Sequence, residues 1–252
     1  MHRVEVLPAE LRQILFFDLD DTLIHCNKYF NEILSRFADW MIARFQGTTR
    51  DEVLEKQVEF DLAGVRKVGF VKDRFPESLV ETYDYYSAVT GRETSAEERE
   101  RLFKLGQSVY EFPNIEPYPH AWETLERLKE EGHELYLYTG GETAIQRKKV
   151  KQMGLDAFFG DRVFISSHKT TEVLESILSR EKFDRVKTWM IGNSIRTDVV
   201  PALEPGINAI HIPAISEWQY NVVDISVRPK RAFLRLKSLL EVPPAIRQYS
   251  LV

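Results

Sequence analysis

The chain is short of cysteine. Among its 252 residues only Cys26 carries a thiol, so no disulfide can form within the chain, which fits a reducing compartment. Long apolar runs are missing too: no segment approaches the roughly 18 uninterrupted apolar residues of a membrane span. The opening stretch MHRVEVLPAELRQ lacks the basic start and apolar run of a secretory signal. The cytoplasm is therefore the expected location. Nor is positive charge in surplus, since 34 Lys and Arg stand against 39 Asp and Glu, a net charge of -5. Nucleic acid and anionic membranes reward clustered Lys and Arg, so neither is expected as the main partner. A small anionic ligand is not excluded, because a local basic site can sit on an acidic protein. No internal repeat or low-complexity tract breaks the chain, and nothing marks a coiled coil, which leaves the oligomeric state open. What is present, 43% hydrophobic and 29% charged residues, is the balance of an ordinary globular protein with length for one large domain or for a core with an insert.

Ile14 to Phe17 is short, apolar and bounded by charge, which predicts a strand buried on both faces. Further strands are predicted over Glu134 to Tyr138, Arg162 to Ile165, Lys187 to Ile191 and Asn208 to Ile212. Helical patterns fall between them, over Ala121 to Glu131, Thr143 to Met153, Thr171 to Arg180 and Thr197 to Leu203. Strand and helix alternating at this spacing predict an α/β fold with a doubly wound, mainly parallel, Rossmann-like sheet. From about Asn27 to Phe112 the rhythm changes to helical periodicity, as in YFNEILSRFADWMIARF, which predicts an all-helical insert. The proline-marked FPNIEPYPH reads as the return to the core. Arg228 to Leu240 is expected to form a short loop and a last amphipathic helix.

The first strand runs straight into Asp18, Asp20 and Asp21. In an open α/β sheet, ligands bind beyond the carboxyl ends of the strands. Side chains two apart on a strand point the same way, so Asp18 and Asp20 can face one cavity. Like charges so close need a cation or a shared proton. A Mg²⁺ ion held with phosphate oxygens would meet that need, as would one carboxyl kept protonated as an acid. Asp21 and Thr22 have a plainer reading as caps of the next helix. Three later segments stand in similar places. Thr139, Gly140 and Gly141 follow one strand and offer a hydroxyl and backbone N–H groups to an anion. Lys169 follows another and can neutralise phosphate charge. Asn193 and Asp198 follow a third and can offer oxygens to a metal, while Ser194 or Thr197 can cap the helix that starts there.

As a set these segments resemble the haloacid dehalogenase-like (HAD) hydrolase superfamily. Asp18-Leu19-Asp20-Asp21-Thr22 matches its D-x-D-x-T motif in full, Thr139 its second, Lys169 its third, and Gly192-Asn193-Ser194 with Asp198 its fourth in part. The resemblance implies a core over residues 1–24 and 113–252 and a helical cap of the C1 type over 25–112. It implies that Asp18 attacks phosphorus to form an aspartyl-phosphate and that Asp20 protonates the leaving oxygen, then activates water. Leu19, Thr139, Gly140 and Lys169 would hold the phosphoryl group of a small phosphorylated substrate. Mg²⁺ would sit among Asp18, Asp20 (by its backbone carbonyl), Asn193 and Asp198. Members that break carbon–halogen bonds lack an aspartate at the place of Asp20, so the implied activity is that of a phosphatase. A phosphomutase would use the same residues, and a binding or regulatory protein of weak turnover is the reading that Asn193 alone supports. Two departures stand out: Asn193 replaces the usual aspartate of Gly-Asp-Ser, and Thr139-Gly140-Gly141-Glu142 replaces the T-K-G-D of the subgroup.

Other residues carry two readings each. His25 and Cys26 can line the site mouth or serve packing and a hinge. His168 neighbours Lys169 but can point away. Arg66, Lys67, Lys72 and Arg74 form a basic run that can meet substrate or be a solvated helix face. Trp218 lies after the last predicted strand, where burial is the default.

Overall fold

The computed structural model describes residues 6–111 and 114–250; the expected insert end at Phe112 and core return at Pro113 lie outside them. The chain divides into two compact units. One runs to Asn27 and resumes at Ile115, and the other is Lys28–Asn114. The first edge thus falls at Asn27 rather than at 24.

The first unit is built on β1 (Ile14–Phe17), β2 (Glu134–Gly140), β3 (Val163–Ser166), β4 (Thr188–Gly192), β5 (Asn208–His211) and β6 (Phe233–Arg235). All pairings are parallel, in the order β3-β2-β1-β4-β5-β6. The helices of the chain are α1 (Asn27–Arg44), α2 (Arg50–Val68), α3 (Arg74–Thr90), α4 (Ala96–Gln107), α5 (Ala121–Glu130), α6 (Thr143–Gln152), α7 (Asp156–Phe159), α8 (Thr171–Arg180), α9 (Val200–Leu203) and α10 (Val242–Ser250).

Period-two alternation sorts the strand residues to two buried faces. Leu15, Phe17, Leu135, Leu137, Trp189 and Ile191 pack with Leu125 and Leu128 of α5, Phe158 of α7 and Ile246 of α10. Phe16, Tyr138, Met190 and Ala209 pack on the other face with Leu174 and Leu178 of α8 and Leu203 of α9. Burial on both faces explains why β1 and β4 are apolar without interruption. β1 lies between β2 and β4, so the chain leaves its carboxyl end at the point where connections diverge to either side.

Two predicted elements differ from the structure. The helix expected from Thr197 starts as a π-helical turn over Ile195–Val199 and continues as α9. The segment expected to close with a helix by Leu240 instead holds β6, and the last helix is α10. Phe233 and Leu234 face opposite cores, the signature of a strand. Arg231, Arg235 and Lys237 mask that alternation in a half-exposed edge.

The second unit packs α1–α4 around Phe37, Met41, Phe45, Val53, Leu79, Tyr83 and Leu102. Thr49 starts α2 with a capping box, its hydroxyl accepting from the Glu52 N–H while the Glu52 carboxylate takes the Thr49 N–H, which satisfies two end donors at once. Among the described residues no helix is long and apolar enough to cross a membrane.

Candidate active site

Asp18 directly follows β1, and its N–H donates to the Ile191 carbonyl at 2.9 Å, so the ladder with β4 holds its backbone. The residue is 7% exposed. Lys169 Nζ lies 2.7 Å from Asp18 Oδ1 and also pairs with the Asp198 carboxylate. One ammonium therefore bridges two carboxylates. Burial pushes the Asp18 carboxyl up to about 7; Lys169 pulls it down, while Asp198 and Asp20 add to the rise. For Lys169, burial lowers the pKa, but Asp18 and Asp198 outweigh it and hold the ammonium above the ordinary lysine value.

The π-helical turn sets Asp198 in place. Its carboxylate accepts the Ser194 N–H at 2.9 Å, and the Ser194 hydroxyl accepts the Thr197 N–H at 3.1 Å. Such turns recur at functional sites because they re-aim one residue of a helix. Asn193 is held by its backbone: its carbonyl lies 2.9 Å from His211 Nε2, which must be the protonated ring nitrogen because a carbonyl only accepts. The Thr22 hydroxyl stands 3.1 Å from Asp18 Oδ2 and 3.3 Å from Asn193 Oδ1.

Asp20 meets a different set. Lys149 Nζ lies 2.8 Å and 2.9 Å from its two carboxylate oxygens. Gln146 Nε2 donates to Asp20 Oδ2 at 2.9 Å and to the Thr139 hydroxyl at 2.6 Å. Burial lowers the Lys149 pKa, but Asp20, together with Cys26 and Asp21, more than offsets it and the ammonium is held charged. The structure thus brings Asp18, Thr22, Lys169, Asn193 and Asp198 into one network and Asp20, Thr139, Gln146 and Lys149 into a second beside it. Sequence reasoning missed Gln146 and Lys149. The plainer reading of Thr22 as a cap does not hold, since its hydroxyl faces the Asp18 and Asn193 oxygens.

Asp21 is the cap. At φ 58° it turns its carboxylate to accept the N–H groups of Cys26, at 3.0 Å, and Asn27, at 2.9 Å. Leu19 is fully buried, so only its backbone can meet a ligand, and Gly140 ends β2 opposite Ser166. His25 packs against the Tyr118 ring at 4.6 Å. Cys26 is buried beside Lys149, and burial pushes its thiol up, away from reactivity. The His168 carbonyl accepts the Ser166 hydroxyl. Within the basic run Arg66, Lys67 and Lys72 are exposed, whereas Arg74 is buried and pairs with Glu77 and Glu81. Trp218 is half-buried and stacks on Tyr220.

Asp18 and Asp20 past the end of the central strand, each with its own lysine, meet a sequence match: residues 13–204 fit the model of the haloacid dehalogenase-like hydrolases. The chain belongs to this family. It is a hydrolase of the HAD-like type. A glyceraldehyde 3-phosphate phosphatase of Methanothermobacter thermautotrophicus is 26% identical over 204 residues, 78% of this chain and 83% of that one. Pyrimidine 5'-nucleotidase PynA of Streptococcus pneumoniae is 24% identical over 220 residues, 79% of this chain and 82% of its own. A haloacid dehalogenase-like family hydrolase from Xanthomonas campestris has the same fold, with TM-score 0.77 at 21% identity over 100% of this chain and 97% of that one.

The resemblance implies Mg²⁺, and part of the donor set fits it. Asp18 Oδ2 and Asn193 Oδ1 face one hydroxyl, and a hydroxyl proton serves one acceptor at a time. Two hard oxygens gathered at one spot suit a small divalent ion that takes its remaining ligands from backbone, water and phosphate. The Asp198 carboxylate is engaged by Lys169 and the Ser194 N–H, and the Asp20 carboxylate by α6. Among the described residues no three His, Cys, Asp or Glu side chains gather as an all-protein metal cage.

Proposed function

We propose that the chain is a Mg²⁺-dependent phosphatase that hydrolyses a small phosphorylated metabolite through an aspartyl-phosphate on Asp18. The observation that carries this reading is the split of the two carboxylates. Asp18 is buried against Lys169, as suits a nucleophile next to a phosphate-binding cation. Asp20 stands apart with Thr139 and α6, as suits a proton carrier. The names of the relatives, a triose phosphate phosphatase and a nucleotidase, support the substrate class.

In the first step an Asp18 carboxylate oxygen bonds to phosphorus as the bond to the leaving oxygen breaks, and the Asp20 carboxyl gives that oxygen its proton. In the second step water attacks phosphorus, loses a proton to Asp20, and the bond to Asp18 breaks to release phosphate. Lys169, the Thr139 hydroxyl and the backbone at Leu19 and Gly140 would hold the phosphoryl oxygens. Lys169 also keeps Asp18 and Asp198 from repelling each other. Mg²⁺ would be held by Asp18, Asn193 and the Asp20 backbone carbonyl, and when bound supplies Lewis-acid neutralisation of the phosphate charge. Asp198 then acts through Lys169 and the Ser194 backbone rather than as a metal ligand.

Phosphate release from triose phosphates, pyrimidine nucleoside monophosphates, hexose phosphates and phosphoglycolate, with Mg²⁺ and with chelator, tests this reading. Release from at least one compound, lost with chelator, is the expected result. No release from any, with folded protein and Mg²⁺ present, would overturn the phosphatase assignment; release indifferent to chelator would overturn the metal.

A further inference from the structure

α6 carries Gln146, Arg147, Lys148, Lys149 and Lys151. Arg147, Lys148 and Lys151 are exposed, but Gln146 and Lys149, one turn apart, are 2% and 4% exposed. A buried lysine is costly, since its ammonium leaves water. Methionine would fill similar volume without that cost, so packing alone gives no reason for Lys149. What the ammonium does here is hold both oxygens of Asp20. Gln146 adds a second tether, because its one amide nitrogen reaches both Asp20 Oδ2 and the Thr139 hydroxyl. An amide N–H given to the Thr139 oxygen leaves that hydroxyl's own proton aimed elsewhere, free to serve an anion. Gly141 beside it is set by its backbone rather than by space: a Cβ there would meet Gln146 Cγ and Cδ at an ordinary 3.4 Å, whereas the φ of 131° disfavours any side chain.

We propose that Lys149 and Gln146 are positioning residues for the proposed reaction. Lys149 fixes the direction of the Asp20 carboxyl, and Gln146 ties that carboxyl to the phosphate-binding hydroxyl of Thr139. Proton donor and phosphate site are thereby kept in one register. This inference rests on the reading of Asp20 as the acid–base group. Asp18 and Asp20 then each have a lysine of their own: Lys169 serves the attacking oxygen and Lys149 serves the proton carrier.

The test compares phenyl phosphate with p-nitrophenyl phosphate, which are similar in size but differ in need: nitrophenolate leaves without a proton, phenolate leaves better with one. kcat/KM reports the step in which the leaving group departs. Lys149→Met should lose at least about tenfold more kcat/KM on phenyl phosphate than on p-nitrophenyl phosphate, a part of the 10²–10⁴-fold that general acids supply. Lys149→Arg, which keeps a cation, should recover part of the difference, and Gln146→Leu should show the same bias more weakly. In an Asp20→Asn background, Lys149→Met should change either rate by less than about twofold, since residues acting as a unit are not additive. A folding defect would lower both substrates alike and would persist in that background. Equal losses on the two substrates, a gain on phenyl phosphate, or full additivity with Asp20→Asn would each overturn the inference. A wild-type protein that releases phosphate from neither compound nor from any metabolite would instead overturn the phosphatase reading, and this inference with it.

Discussion

Gly192 closes β4 at a place where a Cβ would overlap the Asp198 carboxylate. The glycine of the Gly-Asn-Ser segment is therefore required by contact, not by backbone freedom. Gly192→Ala should push Asp198 off Lys169 and cost about 1–3 kcal/mol as an overpacked site. Denaturant midpoints and phosphate release should both fall, and wild-type values for both would show that the contact is dispensable. Lys169→Met is expected to be worse, by about 3–5 kcal/mol, because it leaves two buried carboxylates without their cation. Recovery of stability at acidic pH would mark that cause. Asp18, Asp20, Thr139, Lys169, Asn193 and Asp198 were singled out in the sequence because each lies in a segment that follows a predicted strand. Their partners were not: a hydrogen bond such as that of Asp198 to the Ser194 N–H depends on a π-helical turn, which no local pattern announces.

Helix α6 shows why Lys149 escaped notice. In RKKVK a lysine looks like one more solvated charge, and the helix is basic throughout its second half. The available signal was position, since Gln146, Lys149, Val150 and Met153 recur at helical spacing on the stripe that faces inward. β6 was missed for the opposite reason, its alternation being hidden by flanking charge. At the scale of α2, Asp61 supplies a pH prediction. Burial raises its carboxyl to about 6, against the pull of Arg74. A raised carboxyl pKa means that the folded state binds the extra proton, so stability falls as pH rises from about 4 to 6 and stays lower above that. Asp61→Asn should remove this loss. It should match wild type near pH 4 and exceed it by about 2–3 kcal/mol at pH 7.5, at about 1.4 kcal/mol per pKa unit. Equal unfolding midpoints at pH 7.5 would contradict the stated burial cost.

For the whole molecule, the doubly wound sheet was legible from alternating strand and helix patterns because both faces of its central strands are buried and read as apolar runs. The position of β1 between β2 and β4 suits the proposed reacting groups at that strand's carboxyl end, because connections part to either side there and ligands of open α/β sheets bind at such points. Substrate choice was not legible, since it depends on contacts beyond the phosphoryl group. The proposed chemistry turns on one atom pair, an Asp18 carboxylate oxygen and phosphorus. It is tested most directly by phosphate release from p-nitrophenyl phosphate with Mg²⁺, wild type against Asp18→Asn, with circular dichroism to establish that both are folded. Loss of an attacking group should lower kcat by about 10³-fold or more. A folded Asp18→Asn variant that releases phosphate at the wild-type rate would contradict the account.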